Sequence, residues 1–207
     1  MSELISRSAW PIRRLVGEFW SLEMRTKHRE GVMRITLAYT AETVDDWVQR
    51  VKARVLGFDI EYKPTFERGC KQNRASVLQL AAGDEVLVVQ LFALGGFPAG
   101  LCSLMENERV IKVGVGVNGD VQKLKADWDV VVNGAVDLSS VMQECHGEET
   151  YLSLAKLASK LLGIDMCKNK KVVLSNWEKP KLTRDQVVYA ALDAWVGAEC
   201  AAVLELK

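Results

Sequence analysis

Short stretches in which apolar and polar residues alternate, or in which apolar residues run together, recur along the first two thirds of the chain and predict β-strands. Two of them meet at Gly83 and Asp84, a dipeptide typical of a tight turn, and this pair predicts a β-hairpin. The predicted strands cover residues 34–39, 55–61, 76–82, 85–91, 110–115 and 130–132.

Apolar residues at helical spacing predict five helices. Thr43, which two aspartates follow, is suited to be an N-cap before an acidic first turn. Gly163 is suited to end a helix, and Thr183 with Gln186 has the spacing of a capping box. An antiparallel hairpin followed by alternating strands and helices predicts one α/β domain with a mixed sheet. The predicted helices cover residues 43–53, 98–107, 118–128, 152–162 and 183 to near the end.

The first 30 residues show no clean periodicity, so we predict an N-terminal extension at residues 1–30 and a single domain at residues 31–207. The extension is rich in arginine and lysine, as organelle-targeting segments are, but its four glutamates are atypical of them. We expect an intracellular protein of the nucleus or cytoplasm, and organelle targeting by residues 1–30 stays open. No apolar run approaches the roughly 20 residues that span a bilayer, so no membrane role is expected.

The composition restricts the kinds of binding and catalytic site that the chain is expected to form. Of the 207 residues, 27 are Lys or Arg and 27 are Asp or Glu, so the formal net charge is zero. Proteins that bind a long stretch of nucleic-acid backbone are usually basic, so any such contact should be short and local. The five cysteines include no Cys-x-x-Cys pair, which argues against a disulfide framework and a zinc site. Only two histidines are present, which leaves few candidates for histidine-based catalysis.

Two carboxylates on the second predicted strand require an explanation. The apolar residues that alternate with them point into a core, which places Asp59 and Glu61 side by side on the other face. Neighbouring carboxylates repel each other unless a cation lies between them, and Mg²⁺ prefers oxygen ligands. The alternative, in which both acids only face water, is the common one for an isolated Asp-x-Glu pair.

A second pair lies on the last predicted helix. Tyr189 and Asp193 are four residues apart, so the phenol and the carboxylate project from the same face. Alanines around Asp193 allow this helix to lie close against a sheet. Asp193 is more than two turns from the helix start, too far for the helix dipole to explain it. A third acid, Asp120, lies in the first turn of another helix, where the dipole alone could explain it.

The residues before Asp120 allow a different interpretation. Gly114 to Gly119 match G-x-G-x-x-G between an apolar strand and a helix, and Asp137 follows 18 residues later. This is the pattern of dinucleotide-binding oxidoreductases, in which the acid binds a ribose. The preceding hairpin and the short remainder of the chain do not suit that fold, and the two pairs described above would have no role in it. A dinucleotide site is therefore a remote alternative.

Taken together, residues 58–61, 113–120 and 189–193 resemble the three exonuclease motifs of the DnaQ-like superfamily, in the DEDD branch whose third motif contains tyrosine. Within that branch the chain is most similar to Werner-syndrome-type exonuclease domains, and ribonuclease D is more distant. The segment 175–177, Ser-Asn-Trp, also resembles the Werner type. The resemblance covers about residues 34–204, and three motifs in order are far more specific than any one of them.

The resemblance implies an RNase H-like fold, in which helices flank a mixed sheet, and a 3′→5′ exonuclease that releases mononucleotides from DNA or RNA with two Mg²⁺ or Mn²⁺ ions. It implies that Asp59, Glu61 and Asp193 hold the first metal. Asp59 would bridge to the second metal, with Asp120 nearby, and Tyr189 would orient the attacking water. Two such ions can stabilise the attacking and leaving oxygens, and a metal lowers the pKa of its bound water, so no histidine is needed.

At positions expected to contact substrate, the chain matches the family pattern less closely. Werner-type domains often have Trp where this chain has Tyr62 and an aromatic residue where it has Gln122. Because glutamine offers no stacking face, we expect single-stranded or frayed 3′ ends to be preferred over paired ones. The basic residues that follow the metal strand are expected to reach the substrate backbone. The residues expected to contact substrate are Ile60, Lys63, Arg68, Lys71, Asn118 and Gln122.

A further alternative is a nucleic-acid-binding or scaffold protein that has the same fold and little turnover. The presence of all four carboxylates and the tyrosine argues against this alternative. Protein partners cannot be inferred from the sequence.

Overall fold

A computed structural model describes residues 12–14, 19–67, 69–166 and 169–206 of the chain. The described strands form one mixed sheet, in which β1 and β2 lie at one edge and β8 at the other. The strands are β1 (Ile12–Arg14), β2 (Phe19–Arg25), β3 (Glu30–Ala38), β4 (Val55–Tyr62), β5 (Ala75–Ala82), β6 (Glu85–Val89), β7 (Ile111–Gly114) and β8 (Ala135–Asp137), in the spatial order β1-β2-β3-β6-β5-β4-β7-β8.

Strand direction divides the sheet into three parts. β1, β2 and β3 are antiparallel neighbours, and so are β4, β5 and β6. The two groups join through the parallel pair β3–β6, and β4 continues in parallel to β7 and β8. The hairpin predicted at Gly83 and Asp84 is confirmed by the pairing of β5 with β6.

Helices cover both faces of the sheet, and each face has its own apolar core. Helices α1 to α4 contribute to one core, and the core on the other face is built around α8. None of the described helices combines the length and apolarity needed to cross a bilayer. The helices are α1 (Ala41–Arg50), α2 (Leu91–Leu94), α3 (Ala99–Glu106), α4 (Val117–Trp128), α5 (Leu138–His146), α6 (Leu154–Leu157), α7 (Lys170–Val173) and α8 (Arg184–Val203), and a π-helical segment, Ala158–Leu162, directly follows α6.

Helix α8 lies across the middle of the sheet, in contact with β4, β5, β6 and β7. Every residue from Gln186 to Ala201 is buried except Tyr189. The helix approaches β4 so closely that a Cβ on Gly57 would lie 1.9 Å from the carbonyl oxygen of Ala194. The close approach predicted from the alanines of this helix is therefore confirmed, and so is its capping box.

Part of the predicted extension belongs to this sheet. β2 pairs along its whole length with β3, and its Leu22 and Met24 are buried in the core beneath α8. In the turn between the two strands, the Arg29 guanidinium makes an ion pair with Glu199 of α8 at 2.6 Å. The domain boundary at residue 31 stays a prediction, but residues 19–30 are tied to both the sheet and α8.

Some element boundaries differ from the predicted ones. The N-cap of α1 is Thr40, three residues earlier than predicted, and its hydroxyl accepts a hydrogen bond from the backbone N–H of Thr43. No strand forms at residues 130–132. Val130 and Val132 are buried there but pack from a loop, because burial of alternate side chains does not require a paired backbone. The next strand of the chain is β8, which pairs with β7 at the edge of the sheet.

Candidate active site

Three carboxylates meet where β4 passes beneath α8. Phe58 and Ile60 are buried in the opposite core, so Asp59 and Glu61 lie on the face of β4 that α8 covers, as the alternation predicted. Asp193 projects from α8 onto the same place and is 9% exposed. One carboxylate oxygen from each of these three acids lies within 4.8 Å of the others.

Burial and mutual repulsion raise the pKa of the strand carboxyls well above the ordinary values. For Asp59, burial is the largest cause, and the charges of the neighbouring acids come next. Burial also dominates for Glu61, followed by the charges of Asp193 and Asp120. Among the described residues, no basic side chain lowers the pKa of either acid. Ionised carboxylates so close together require a cation, and their oxygens are the donors that a hard divalent metal prefers.

The fourth acid, Asp120, lies in the first turn of α4. Burial, and then the charge of Asp137, raises the pKa of Asp120 to about 7. The loop before α4 is anchored by Asp137 as well, because the backbone N–H of Gly116 donates to its carboxylate at 2.6 Å. Asp137 therefore fixes the start of the helix that carries Asp120.

Tyr189 lies half-buried beside the carboxylates, one turn before Asp193 on α8. Burial, the charges of the nearby acids and a hydrogen bond with Asp193 raise the pKa of its hydroxyl well above 10. The phenol is therefore protonated at neutral pH. Its ring packs against that of Trp177, which is fully buried, with the ring centroids 6.2 Å apart.

The segment that carries Trp177 is held by the first turn of α8. The side-chain amide of Gln186 donates to the Ser175 hydroxyl at 2.8 Å and to the Asn176 carbonyl at 3.0 Å. The same glutamine completes the capping box with Thr183. The sequence singled out residues 175–177 only by resemblance, and their packing role follows from a long-range contact that no local pattern shows.

A cavity of about 480 Å³ opens directly beside the carboxylates. Asp59, Tyr189 and Asp193 line one side of it, so the cavity and the candidate metal site share a wall. The other walls come from the loop after β7, from the segment that leads into α6 and from α8. These walls are formed by Phe58, Gly114, Val115, Gly116, Tyr151, Ser153, Leu154, Ala155, Lys156, Met166 and Leu192.

The residues expected to contact substrate have varied surroundings. The Ile60 side chain is buried in the core, so only its backbone can reach a ligand. The Lys63 ammonium makes an ion pair with Glu178 at 3.6 Å. Arg68 lies outside the described residues. The remaining three, Lys71, Asn118 and Gln122, are exposed, and their contact with substrate stays a prediction.

The loop between β4 and β5 is fixed from α4 by a lysine that sequence reasoning missed. The Lys123 ammonium lies 4.3 Å from the ring centroid of Tyr62 and donates to the Asn73 carbonyl at 2.7 Å. It also pairs with Asp127 at 2.9 Å. Arg74, one of the basic residues of this loop, donates to the backbone carbonyl of Asp127 at 2.8 Å. Lys123 and Arg74 therefore hold the loop between β4 and β5 in place.

The glycines of the G-x-G-x-x-G segment have roles other than dinucleotide binding. A Cβ on Gly114 would lie 2.5 Å from a carbonyl oxygen of β4, so this glycine allows close strand packing. Gly116 has φ +81° and caps α4, and open space surrounds Gly119. Asp137, the candidate ribose acid, already accepts hydrogen bonds from three backbone N–H groups and a tyrosine hydroxyl. This geometry argues against the dinucleotide alternative.

Comparisons with known proteins agree with the family that the sequence motifs resemble. A protein-family model described as 3′-5′ exonuclease matches residues 35–207. The chain is 39% identical over 145 residues to the mouse (Mus musculus) bifunctional 3′-5′ exonuclease/ATP-dependent helicase WRN, a match that covers 69% of this chain and 10% of that protein. It is 31% identical over 140 residues to a 3′-5′ exonuclease of Arabidopsis thaliana, with 68% of this chain and 49% of that protein covered. The chain thus spans half or less of the length of these relatives.

Solved structures confirm the predicted DnaQ-like, RNase H-like fold. The Trypanosoma brucei RNase D in complex with RNA U12 superposes with a TM-score of 0.73 at 18% identity, over 84% of this chain and 63% of that one. The Aedes aegypti Nibbler EXO domain superposes with a TM-score of 0.69 at 22% identity, over 83% of this chain and 87% of that one.

Proposed function

Because the chain belongs to the 3′-5′ exonuclease family, we propose that it hydrolyses the last phosphodiester bond at the 3′ ends of DNA or RNA and releases mononucleotides. The observation that carries this proposal is the meeting of Asp59, Glu61 and Asp193 beside Tyr189, at the wall of a cavity of about 480 Å³. That volume lies within the range of about 300–1,000 Å³ typical of small-ligand sites.

We propose that two divalent ions, Mg²⁺ or Mn²⁺, bind at this cluster. Asp59, Glu61 and Asp193 would hold the first ion, and Asp59 with Asp120 would hold the second. The fit rests on the donor set, which is made of carboxylate oxygens, and burial together with mutual repulsion raises the pKa of Asp59 and Glu61. When bound, such ions lower the pKa of water and neutralise charge on the attacking and leaving oxygens.

The protein's own groups position the reactants. The scissile phosphate would lie against the shared wall of the cavity and the cluster, so that water attacks phosphorus while the bond to the leaving 3′ oxygen breaks. Tyr189 would orient this water through a hydrogen bond. It would not act as a base, because its pKa is raised and the hydroxyl keeps its proton at neutral pH. Trp177 packs against the ring of Tyr189 and would hold it in this position.

We expect single-stranded or frayed 3′ ends to be the preferred substrates. An aromatic ring on α4 that contacts the terminal base pair would help to open it by stacking on a base. Gln122, exposed on α4 two residues after Asp120, has no such ring.

The proposal is tested with oligonucleotides labelled at the 5′ end, so that stepwise shortening from the 3′ end is visible. The wild-type protein should shorten single-stranded DNA or RNA with Mg²⁺ or Mn²⁺ and should be inactive in EDTA. Asp193→Asn should abolish cleavage and weaken Mn²⁺ binding in calorimetry. Asp185→Asn is the matched control, because Asp185 lies on the same helix in its first turn, outside the cluster. Tight oligonucleotide binding without cleavage would instead favour the scaffold alternative.

A further inference from the structure

Tyr151 lines the same cavity as Asp59, Tyr189 and Asp193, and the proposed chemistry gives it no role. Its side chain is 51% exposed, although its hydroxyl is fixed by a hydrogen bond. The residue lies in the segment between α5 and α6, outside the three sequence motifs.

The orientation of this ring is set by Asp137. The Tyr151 hydroxyl donates to Oδ2 of Asp137 at 2.9 Å, and the same oxygen accepts the backbone N–H of Gly116 at 2.6 Å. Oδ1 of Asp137 accepts from the backbone N–H groups at the start of α5. Because the polar end of the phenol is committed to this carboxylate, the part left for a ligand is the face of the ring.

The cavity around the ring favours a flat, largely apolar ligand. Leu154, Met166 and Leu192 contribute apolar side chains to its lining. The polar part of the lining includes Asp59 and Asp193, beside which the scissile phosphate would lie, together with Ser153 and Lys156. A 3′-terminal nucleotide has this same polarity, because its phosphate is joined through the sugar to a flat base.

We propose that Tyr151 is a specificity-determining residue whose ring is the platform on which the base of the 3′-terminal nucleotide stacks. This inference rests on the proposed exonuclease function and deepens it, because it names the group that recognises the nucleoside. Every base has a flat π face, so recognition by this ring is tolerant of sequence. Stacking of a base on an aromatic side chain strengthens binding by roughly tenfold.

Two small esters separate recognition of the nucleoside from the chemistry. In the 4-nitrophenyl ester of thymidine 5′-monophosphate, 4-nitrophenolate replaces the leaving 3′ oxygen. Water attacks phosphorus, the bond to the aryl oxygen breaks, and thymidine 5′-monophosphate, 4-nitrophenolate and protons are released. Bis(4-nitrophenyl) phosphate undergoes the same substitution at phosphorus but has no nucleoside. The ratio of kcat/KM for the two esters therefore reports recognition of the nucleoside.

In the wild-type protein with Mn²⁺, kcat/KM should be higher for the nucleoside ester than for the bis ester. Tyr151→Ala should lower this ratio about tenfold, mainly through a higher KM for the nucleoside ester. Tyr151→Phe keeps the ring and should retain most of the ratio, and Tyr151→Trp should retain or raise it. A merely structural role would instead lower kcat/KM for both esters together and leave the ratio unchanged.

The proposal is overturned if Tyr151→Ala leaves the ratio unchanged, or if Tyr151→Phe lowers it as much as Tyr151→Ala does. If the wild-type protein cleaves neither ester, cleavage of the labelled oligonucleotides decides the exonuclease function, and binding of thymidine 5′-monophosphate with Mn²⁺ decides the role of Tyr151. In calorimetry, wild type and Tyr151→Phe should bind the nucleotide about tenfold more tightly than Tyr151→Ala. Equal nucleotide affinities of these three proteins would contradict the stacking role of Tyr151 as well.

Discussion

Gly57 of β4 and Ala194 of α8 are so close that no side chain fits between them, because a Cβ on Gly57 would lie 1.9 Å from the Ala194 carbonyl oxygen. Both residues are close in sequence to acids of the candidate metal site, since Ala194 is next to Asp193 and Gly57 is two residues before Asp59. The distance between helix and sheet at this contact therefore sets the distance between the two carboxylates.

Gly57→Ala should consequently damage both stability and activity. Because the obstacle is backbone, α8 must move away, and overpacking of this kind typically costs about 1–3 kcal/mol. Separation of Asp59 from Asp193 should also weaken Mn²⁺ binding by at least about tenfold. Urea unfolding and calorimetry measure the two effects. Gly96→Ala is the control, because a Cβ at Gly96 meets nothing within 4 Å, and it should change neither quantity much.

Trp177→Phe should lower kcat about tenfold while Mn²⁺ affinity stays unchanged, because Trp177 packs on the ring of Tyr189 and is not a ligand. The variant should also lose about 1–3 kcal/mol of stability through the cavity that it creates. Trp47→Phe controls for the latter effect, since Trp47 is equally buried in the core on the other face of the sheet. If both variants lose kcat to the same degree, the contact with Tyr189 has no special role.

Gln122→Trp should improve cleavage of paired 3′ ends by roughly five- to tenfold and change cleavage of single strands much less, because indole supplies the stacking face that glutamine lacks. Initial rates on a single strand, a recessed end and a blunt duplex provide the measurement. Gln143→Trp, at an exposed position of α5, should leave the preference as it is. Wild-type cleavage of a blunt duplex at the single-strand rate would contradict the idea.

The metal-free protein should become less stable as pH rises from about 4 to about 7. The ordinary pKa of an aspartate is 3.8, and that of folded Asp120 is about 7, so within this window the folded state retains a proton that the unfolded state has lost. Asp120→Asn removes the contribution of Asp120 to this dependence, so in EDTA the stability of the variant relative to wild type should increase as pH rises, by at most about 4 kcal/mol. Urea unfolding between pH 4 and pH 8 provides the test.

At pH 8, Mn²⁺ should reverse the order of stability that wild type and Asp120→Asn show in EDTA. A divalent cation binds the ionised carboxylates, so it should stabilise wild type more than Asp120→Asn. An identical shift of the unfolding midpoint in both proteins would exclude Asp120 from the metal site.

The strand alternation around Asp59 and the helical spacing of Tyr189 and Asp193 are local patterns, and they were sufficient to predict which acids share a face. That these two faces meet depends on α8 packing on β4, and only the resemblance to a family predicted it. The alanines of α8 indicated close packing but not its partner. The resemblance to the family therefore predicted the long-range contact between α8 and β4 that brings the acids together.

Other features depend on contacts that leave little trace in the sequence. β2 alternates apolar and polar residues only over the short stretch from Trp20 to Arg25, and its place in the sheet depends on pairing with β3 and on the ion pair of Arg29 with Glu199. Asp137 matched a ribose-binding pattern, yet its carboxylate caps α5 and holds Gly116 and Tyr151. The same spacing in sequence is compatible with both roles, and only the three-dimensional partners distinguish them.

The position of α8 also has a consequence for the order in which the site forms during synthesis. The candidate metal site combines Asp59, from the first third of the chain, with Asp193, from a helix near its end. Contacts between residues so distant in sequence form late, because the intervening chain must be ordered first. A ribosome-bound chain that has not yet released α8 therefore holds an incomplete set of ligands. The proposed metal site would therefore be complete only once α8 has docked on β4.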